Sequence, residues 1–166
     1  MAFLLTLTPE LLGLPSVKES IQQSPSWQLQ ARCEEESAES CIFLQQLVEL
    51  HVKSQRDGSD ALLALKKLFT IAKSGMPITH FYNSKQCHEA HTFKIEGVEH
   101  KIWRIRKASI RIYFYYSEGK IIYLAALKAK RQDKLTTSEL KQLQDEVSVY
   151  LQSKKDNLLK VIPVNN

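Results

Sequence analysis

Cysteine and glycine are scarce in this chain, and their scarcity excludes several classes of protein. The 166 residues include three cysteines, Cys33, Cys41 and Cys87, with no CxxC spacing. Three cysteines cannot all pair, so the sequence argues against a disulfide scaffold and for a reducing compartment. The five glycines stand singly, which excludes a glycine-rich phosphate loop. The GxSxG, HExxH and Walker motifs are missing as well, so the common hydrolase and nucleotide-binding signatures do not apply.

Long apolar runs are also missing. No stretch approaches the length of a membrane-spanning helix, and the N-terminal MAFLLTLTPELLGLP has no basic region and is interrupted by Thr, Pro and Glu. We therefore expect no signal peptide and a cytoplasmic protein without a membrane partner. With 43% hydrophobic and 25% charged residues, the chain can bury the core of one domain. We expect that domain over residues 27–153, with an N-terminal extension over 1–26 and a polar tail over 154–166.

Acidic residues are scarce in one window, from His100 to Lys134. That window holds ten Lys and Arg residues against Glu118 and Asp133, so it carries a charge of +8. The whole chain is +5, and the residues outside the window therefore sum to −3. One concentrated basic region on a neutral-to-acidic scaffold indicates a protein that binds a polyanion. A charged face that serves solubility is the alternative, although such faces usually mix the two signs.

Apolar periodicity predicts three helices. The first covers residues 37–51, and a turn at Asp57-Gly58 separates it from the second, which ends at Gly75. The last helix begins at a cap within 136–138 and continues to Leu151. The first two helices are expected to form an antiparallel hairpin.

A period of two predicts the strands. The segment 27–33 alternates, and the strongest strands cover 101–107, 110–117 and 120–128, with Glu118-Gly119 as a tight turn between the last two. The expected fold class is α+β. A helical hairpin and a C-terminal helix would pack on one face of a small antiparallel sheet.

Alternation also assigns the basic side chains to faces. Arg104 and Arg106 share one face of their strand, and Arg111, Tyr113 and Tyr115 share one face of the next. Antiparallel pairing can bring the three arginines into one patch flanked by tyrosines. The guanidinium fork takes phosphate oxygens in pairs and tyrosine stacks on unpaired bases, so the patch predicts RNA binding. Further candidate contacts come from the basic residues nearby: Lys107, Lys128, Lys130 and Arg131.

The segment WRIRKASIRIYFYYSEGKIIYLAALKAKRQDKLTTSEL resembles the characteristic half of the RelE/HigB-type toxins of bacterial toxin–antitoxin systems, within the RelE/ParE superfamily. The shared elements are an aromatic-Arg-x-Arg strand, a following strand with Arg and Tyr, a short turn, an apolar strand and a Lys-rich end before a capped helix. The order of elements matches over about residues 27–151, and the motif is specific over 100–140. The resemblance implies a RelE-like fold and a type II toxin that cleaves mRNA on the ribosome and inhibits translation. It implies no metal and no cofactor, and its partner would be a cognate antitoxin of the helix-turn-helix type.

The resemblance also assigns roles. The RNA's own 2′-hydroxyl would attack the adjacent phosphate, and cations would stabilise the developing charge. Arg106 and Arg111 match the motif positions and are the implied catalytic residues. Members of the family often place Tyr or His near the start of the last helix, but residues 130–137 contain neither. We take His91 as the first choice for the general acid or base, because histidine is the residue type that most often transfers protons near neutral pH and His91 precedes the first strong strand by a short segment. The alternatives are His88, Tyr113 and Tyr115, and the implied backbone contacts are Arg104, Lys128, Lys130 and Arg131.

Two alternatives keep the fold and change the function: a ParE-like toxin that inhibits DNA gyrase, and a non-catalytic nucleic-acid-binding module. Function belongs to the site, so the fold does not choose between them. A zinc site is not predicted, since Cys87, His88 and the nearby His80 and His91 lack the paired spacing of zinc ligands.

Overall fold

The computed structural model describes residues 1–17, 25–130 and 134–163. Within these residues the strands are β1 Ala2–Leu7, β2 Gln28–Cys33, β3 Cys87–Ile95, β4 Val98–Lys107, β5 Ile110–Ser117, β6 Ile121–Ala129 and β7 Leu159–Val161. The α-helices are α1 Ile42–Lys53, α2 Gln55–Ser74 and α3 Thr137–Lys155. Short 3₁₀ helices cover Glu10–Leu12, Ala38–Ser40 and Ile78–Phe81. Arg131, a predicted RNA contact, lies outside the described residues.

The strands of the described residues form one seven-stranded mixed sheet in the order β3-β4-β5-β6-β2-β1-β7. β2 pairs parallel with β6, and β1 pairs parallel with β7, while the other neighbours are antiparallel. The predicted small antiparallel sheet is therefore wrong. For residues 3–7 of the predicted extension the sequence leaves a short strand and the start of a helix open, and these residues lie in β1. The sequence pattern missed β7, which comes from the predicted tail. A three-residue strand carries no readable period, and its pairing with the other end of the chain is decided by tertiary contact.

Helices cover both faces of this sheet. α1 and α2 pack on the face that carries Ile105, Ile112 and Phe114, whereas α3 packs on the opposite face against Ile102 and Tyr113. Adjacent residues of a strand point to opposite faces, so both faces of β4 and β5 are apolar enough to bind a helix. The expectation of three helices on one face is wrong for this reason.

The dipeptide Asp57-Gly58 lies in the first turn of α2, so the predicted turn there is wrong. Ser54 is the residue between α1 and α2, and its Oγ accepts a hydrogen bond from the Asp57 N–H at 3.2 Å. A Cβ atom at Gly58 would lie 2.8 Å from Cα of His51 on α1, which is closer than real contacts allow. Glycine is needed here for the close approach of two helices, and not for a turn.

The three basic strands and the start of the last helix agree with the sequence prediction. β4, β5 and β6 contain the predicted segments, and Gly119 in the turn before β6 has a φ of 79°. Thr136 Oγ1 accepts from the Glu139 N–H at 3.1 Å, and a Glu139 carboxylate oxygen accepts from the Thr136 N–H at 3.0 Å. This reciprocal capping box begins α3.

Candidate nucleic-acid interface

Three cations lie side by side at one end of β4, β5 and β6. Arg106 of β4 pairs with Arg111 of β5, which pairs in turn with Lys128 of β6. Neighbouring strands are about 4.8 Å apart, so the backbone positions of this row span about 10 Å. Like charges placed directly opposite each other destabilise a sheet. A nearby anion would therefore stabilise this row by reducing the repulsion between its charges.

Backbone carbonyls hold two of the arginines in place. Nη2 of Arg104 donates to the carbonyl of Lys85 at 2.9 Å. Nη1 of Arg111 donates to the carbonyls of Ala108 at 2.7 Å and Ile110 at 3.0 Å. The exposed fraction is 4% for Arg104 and 2% for Arg111. Carbonyls orient a guanidinium without cancelling its charge, so the positive charge is positioned rigidly.

The arginines and lysines at this end differ in how far they reach solvent. Arg106 and its neighbour Lys107 are exposed, whereas Lys128 and Lys130 are half-buried. We name the set formed by Arg104, Arg106, Arg111, Lys128 and Lys130 the basic end of the sheet. Its register is the one that alternation predicted, but Arg104 and Arg111 are buried. Arg106 is the arginine that faces water.

Glu139 is the acid that α3 brings to the basic end. Its carboxylate accepts from Nζ of Lys130 at 2.6 Å and lies 3.5 Å from Nζ of Lys128. The pKa of Glu139 falls to about 2, chiefly through the hydrogen bond from Lys130 and then through the Thr136 N–H, with the charge of Lys128 as a smaller cause. Sequence reasoning did not single out Glu139, although the Thr-x-x-Glu capping pattern was there to indicate it.

A cleft of about 240 Å³ lies beside Arg104, between β3, β4, β5 and the start of α3. Arg104 pairs across the sheet with His88 on one side and with Tyr113 on the other. His88 is half-buried, and its Nδ1 is 2.8 Å from the carbonyl oxygen of Glu89. The cleft thus places an imidazole, a guanidinium and a phenol together. Its full lining is His88, Glu89, Ala90, Arg104, Tyr113, Lys134, Leu135 and Leu140.

His91 and Tyr115, two other predicted site residues, lie away from the basic end. His91 pairs with Ile102, which is four residues along β4 from Arg106, so about 13 Å separate the two positions along the strand. The His91 ring lies 3.2 Å from the side-chain oxygen of Gln144 on α3. The sequence order suggested His91, but the hairpin register of β3 and β4 places it opposite Ile102.

Tyr115 takes part in a separate polar contact. Its hydroxyl lies 2.8 Å from Nδ1 of His100, and the two rings are 5.8 Å apart between centroids. Burial raises the pKa of Tyr115. The tyrosine is half-buried and pairs with Tyr123, so it does not flank the arginines. Tyr113 does, but it is fully buried and offers no open ring face.

Buried polar contacts position α3 over this face of the sheet. Arg32 of β2 donates to both carboxylate oxygens of Glu146, with Nη2 at 2.9 Å. Glu146 also accepts from the hydroxyl of Tyr123 at 2.9 Å. Tyr123 stacks on Tyr150 with 4.1 Å between ring centroids. These contacts fix the middle of α3, and its first turn then lies at the basic end.

Four other cavities among the described residues differ from the cleft beside Arg104 in having no arginine in their lining. No group of three or more His, Cys, Asp or Glu side chains that could hold a metal occurs among the described residues. A larger cavity of about 730 Å³ lies along α1, but apolar side chains such as Leu11, Val48 and Val52 line it. In the same described ranges, no helix is both long and apolar enough to cross a bilayer.

Comparison of the chain with protein-family models, with curated proteins and with solved structures gives no match. The candidate interface therefore depends on the geometry of the basic end and on the chemistry of its side chains.

Proposed function

We propose that this protein binds single-stranded RNA through the basic end of the sheet. The observation that carries the proposal is the cross-strand row of Arg106, Arg111 and Lys128. Phosphate oxygens are the natural ligands of such a row, because guanidinium and ammonium groups donate charge-assisted hydrogen bonds to them. Arg106 is the exposed member and would make the first contact with the backbone of the RNA.

The cleft beside Arg104 favours an unpaired strand over a duplex. A regular duplex presents its phosphates on a convex surface, whereas an extruded base can enter a recess and lie against an imidazole. His88 is half-buried at that recess, and Leu140 supplies an apolar wall. The preference for RNA over DNA comes from the sequence resemblance.

The second part of the proposal is catalytic, and it rests on the resemblance to ribosome-dependent mRNA endonucleases. The 2′-oxygen would form a bond to phosphorus while the bond from phosphorus to the 5′-oxygen breaks. Arg106 would stabilise the charge on the phosphorane. His88 would take or supply a proton, since it pairs with Arg104 whereas His91 lies along the strand from it. In this role the protein would act on mRNA in the cytoplasm and would be neutralised by an antitoxin.

Binding is tested by fluorescence anisotropy with a short labelled single-stranded RNA over a range of salt concentrations. Arg106→Gln should weaken binding about five- to tenfold and lower the salt slope by about 0.7, the value for one lost phosphate contact. The charge-matched control is Lys66→Gln on the exposed face of α2, which should bind like the wild type. If both substitutions weaken RNA binding equally, the RNA does not bind at the basic end of the sheet.

Cleavage is tested separately by incubating the protein with translating ribosomes and mapping the 5′ ends of the mRNA. Cuts within codons that disappear in Arg106→Ala and in His88→Gln would support the catalytic part. RNA binding without any cut would reject it and leave a binding module. Inhibition of gyrase supercoiling with intact mRNA would favour the gyrase alternative. Arg111 is a poor target for these assays because it is buried, so a substitution there would also change the stability of the fold.

A further inference from the structure

Two of the three cysteines pair with each other where β2 ends and α1 is about to begin. Cys33 is the last residue of β2 and Cys41 immediately precedes α1, and the two are partners in an antiparallel β-bridge. The Glu34 N–H donates to the carbonyl of Ser40 at 3.1 Å, so the residues just inside the pair carry the hydrogen bond. Cys33 and Cys41 are therefore a non-hydrogen-bonded pair.

That class of pair has the geometry of a disulfide. Its Cα atoms lie about 4.5 Å apart, with the side chains closer together than in hydrogen-bonded pairs. Disulfides span Cα separations of about 4.4–6.8 Å. Both thiols are buried in the same apolar cluster, with exposed fractions of 2% and 0%. Burial is the largest influence and raises the pKa of both thiols. A hydrogen bond between them raises the pKa of Cys33 further and offsets part of the rise at Cys41.

We propose that Cys33 and Cys41 are a disulfide-forming pair that low-molecular-weight disulfides such as oxidised glutathione convert from two thiols to one cystine. Cys87 stays outside this reaction. It lies on β3, four strands from β2 in the sheet, which is about 19 Å. The three thiols are free in the structure described above, so the reduced form is the one seen.

The reaction balances as two exchanges. One cysteine thiolate attacks a sulfur of oxidised glutathione, which forms a mixed disulfide and releases one molecule of glutathione. The second cysteine then attacks the protein sulfur of that mixed disulfide and releases another. The two cysteines lose two electrons to the oxidant, and their two protons leave on the released thiols.

Access requires the loop between the cysteines to open. Glu34, Glu35 and Glu36 are exposed, and Ser40 Oγ holds the loop through hydrogen bonds to the carbonyls of Glu35 at 2.9 Å and Ser37 at 2.8 Å. Burial, with a smaller contribution from the Cys41 thiol, raises the pKa of Cys33 to about 12. Exchange should therefore be slow at neutral pH and should accelerate as the pH rises, because the thiolate is the attacking form.

The purified protein is incubated with oxidised glutathione at about pH 8.5, the ordinary pKa of a cysteine thiol. It is then denatured and alkylated. The expected product has one alkylated cysteine, Cys87, and a tryptic peptide from Cys33 to Lys53 that is about 2 Da lighter than its reduced form. Cleavage after the intervening glutamates then gives two fragments that separate only after reduction.

Variants distinguish this pair from any other. Cys87→Ser should still lose both remaining thiols on oxidation, whereas Cys41→Ser should leave no intramolecular disulfide and keep Cys33 as a thiol or a mixed disulfide. Alkylation of all three cysteines in the treated wild type would overturn the proposal, and so would a bond that includes Cys87. The wild-type peptide map decides the question even where a serine variant folds poorly.

Discussion

Glu139 offers the sharpest test of the basic end, because removing its charge should weaken the fold and strengthen RNA binding at the same time. Glu139→Gln keeps the side-chain length and an oxygen acceptor for the Thr136 N–H. It removes the carboxylate that contacts Lys130 and Lys128. A residue with a purely structural role would lower stability and leave affinity unchanged.

The magnitude of the stability effect follows from the pKa. The hydrogen bond from Lys130 is the main cause that lowers the pKa of Glu139 from its ordinary 4.5 to about 2. That difference corresponds to about 3 kcal/mol in favour of the ionised form. The side chain of Glu139 is 23% exposed, so water screens part of this energy. We expect the substitution to lower the free energy of unfolding by about 1 kcal/mol.

The magnitude of the binding effect follows from the two lysines. Without the carboxylate, Lys128 and Lys130 can each neutralise a phosphate. Each new contact with a single strand adds about 0.7 to the magnitude of the salt slope, so the slope should steepen by about 0.7–1.4. At low salt the dissociation constant should fall several-fold, and the gain should fade as salt rises.

The assays are urea denaturation for stability and anisotropy with labelled single-stranded RNA for affinity. The matched control is Glu49→Gln on α1, which makes the same charge change at an exposed ion pair with Lys53. The control should change stability by less than about 0.5 kcal/mol and affinity by less than about twofold. Equal affinities for the wild type and Glu139→Gln, or a gain that Glu49→Gln reproduces, would refute the assignment of the basic end as the RNA surface.

Three further predictions concern the fold. Gly58→Ala should lower the free energy of unfolding by about 2 kcal/mol, because the added methyl meets the backbone of His51 and overpacking exceeds the gain in helix propensity. Glu146→Gln should cost about 2 kcal/mol in urea denaturation, since Arg32 loses a charged partner with two hydrogen-bonding oxygens. The depressed pKa of Glu139 stabilises the fold above about pH 4.5 and ceases to do so as pH falls towards about 2. The stability difference between wild type and Glu139→Gln should therefore shrink as the pH falls from about 4.5 to about 2.

Two of these predictions have a control variant on the same element, and the third has a pH range in which it can fail. Ser59→Ala places a methyl at an exposed position of α2 and should not destabilise the protein, so a similar loss there would contradict the packing argument for Gly58. Asp145→Asn changes an exposed acid next to Glu146 on α3 and should leave stability nearly unchanged. A stability difference at Glu139 that stays constant down to about pH 3 would show that the lysines do not hold its pKa low.

Local patterns in the sequence predicted a definite part of the fold. The alternation of residues in β4 and β5 gave the correct faces for Arg104, Arg106 and Arg111, since strand periodicity is a property of the backbone. The Thr136 cap could be predicted for the same reason, because a side chain three residues from its partner needs no distant contact. The site was less predictable. His88, rather than His91, pairs with Arg104. A bulge in β3 that the sequence pattern does not predict sets this pairing, since the uninterrupted hairpin register would place Glu89 opposite Arg104.

The sequence by itself determined where the positive charge is concentrated, which residues alternate across the basic strands, and where α3 begins. Tertiary structure alone decided that β1 and β7 complete a seven-stranded mixed sheet within the described residues, that Arg104 and Arg111 are buried, and that α3 packs on the face that carries Ile102 and Tyr113. Periodicity states which side of a strand a residue takes, but it does not state what covers that side. Burial and counter-charge come from residues far apart in the chain, as with Glu139 beside Lys128 and Lys130, and they are settled only when the layers pack.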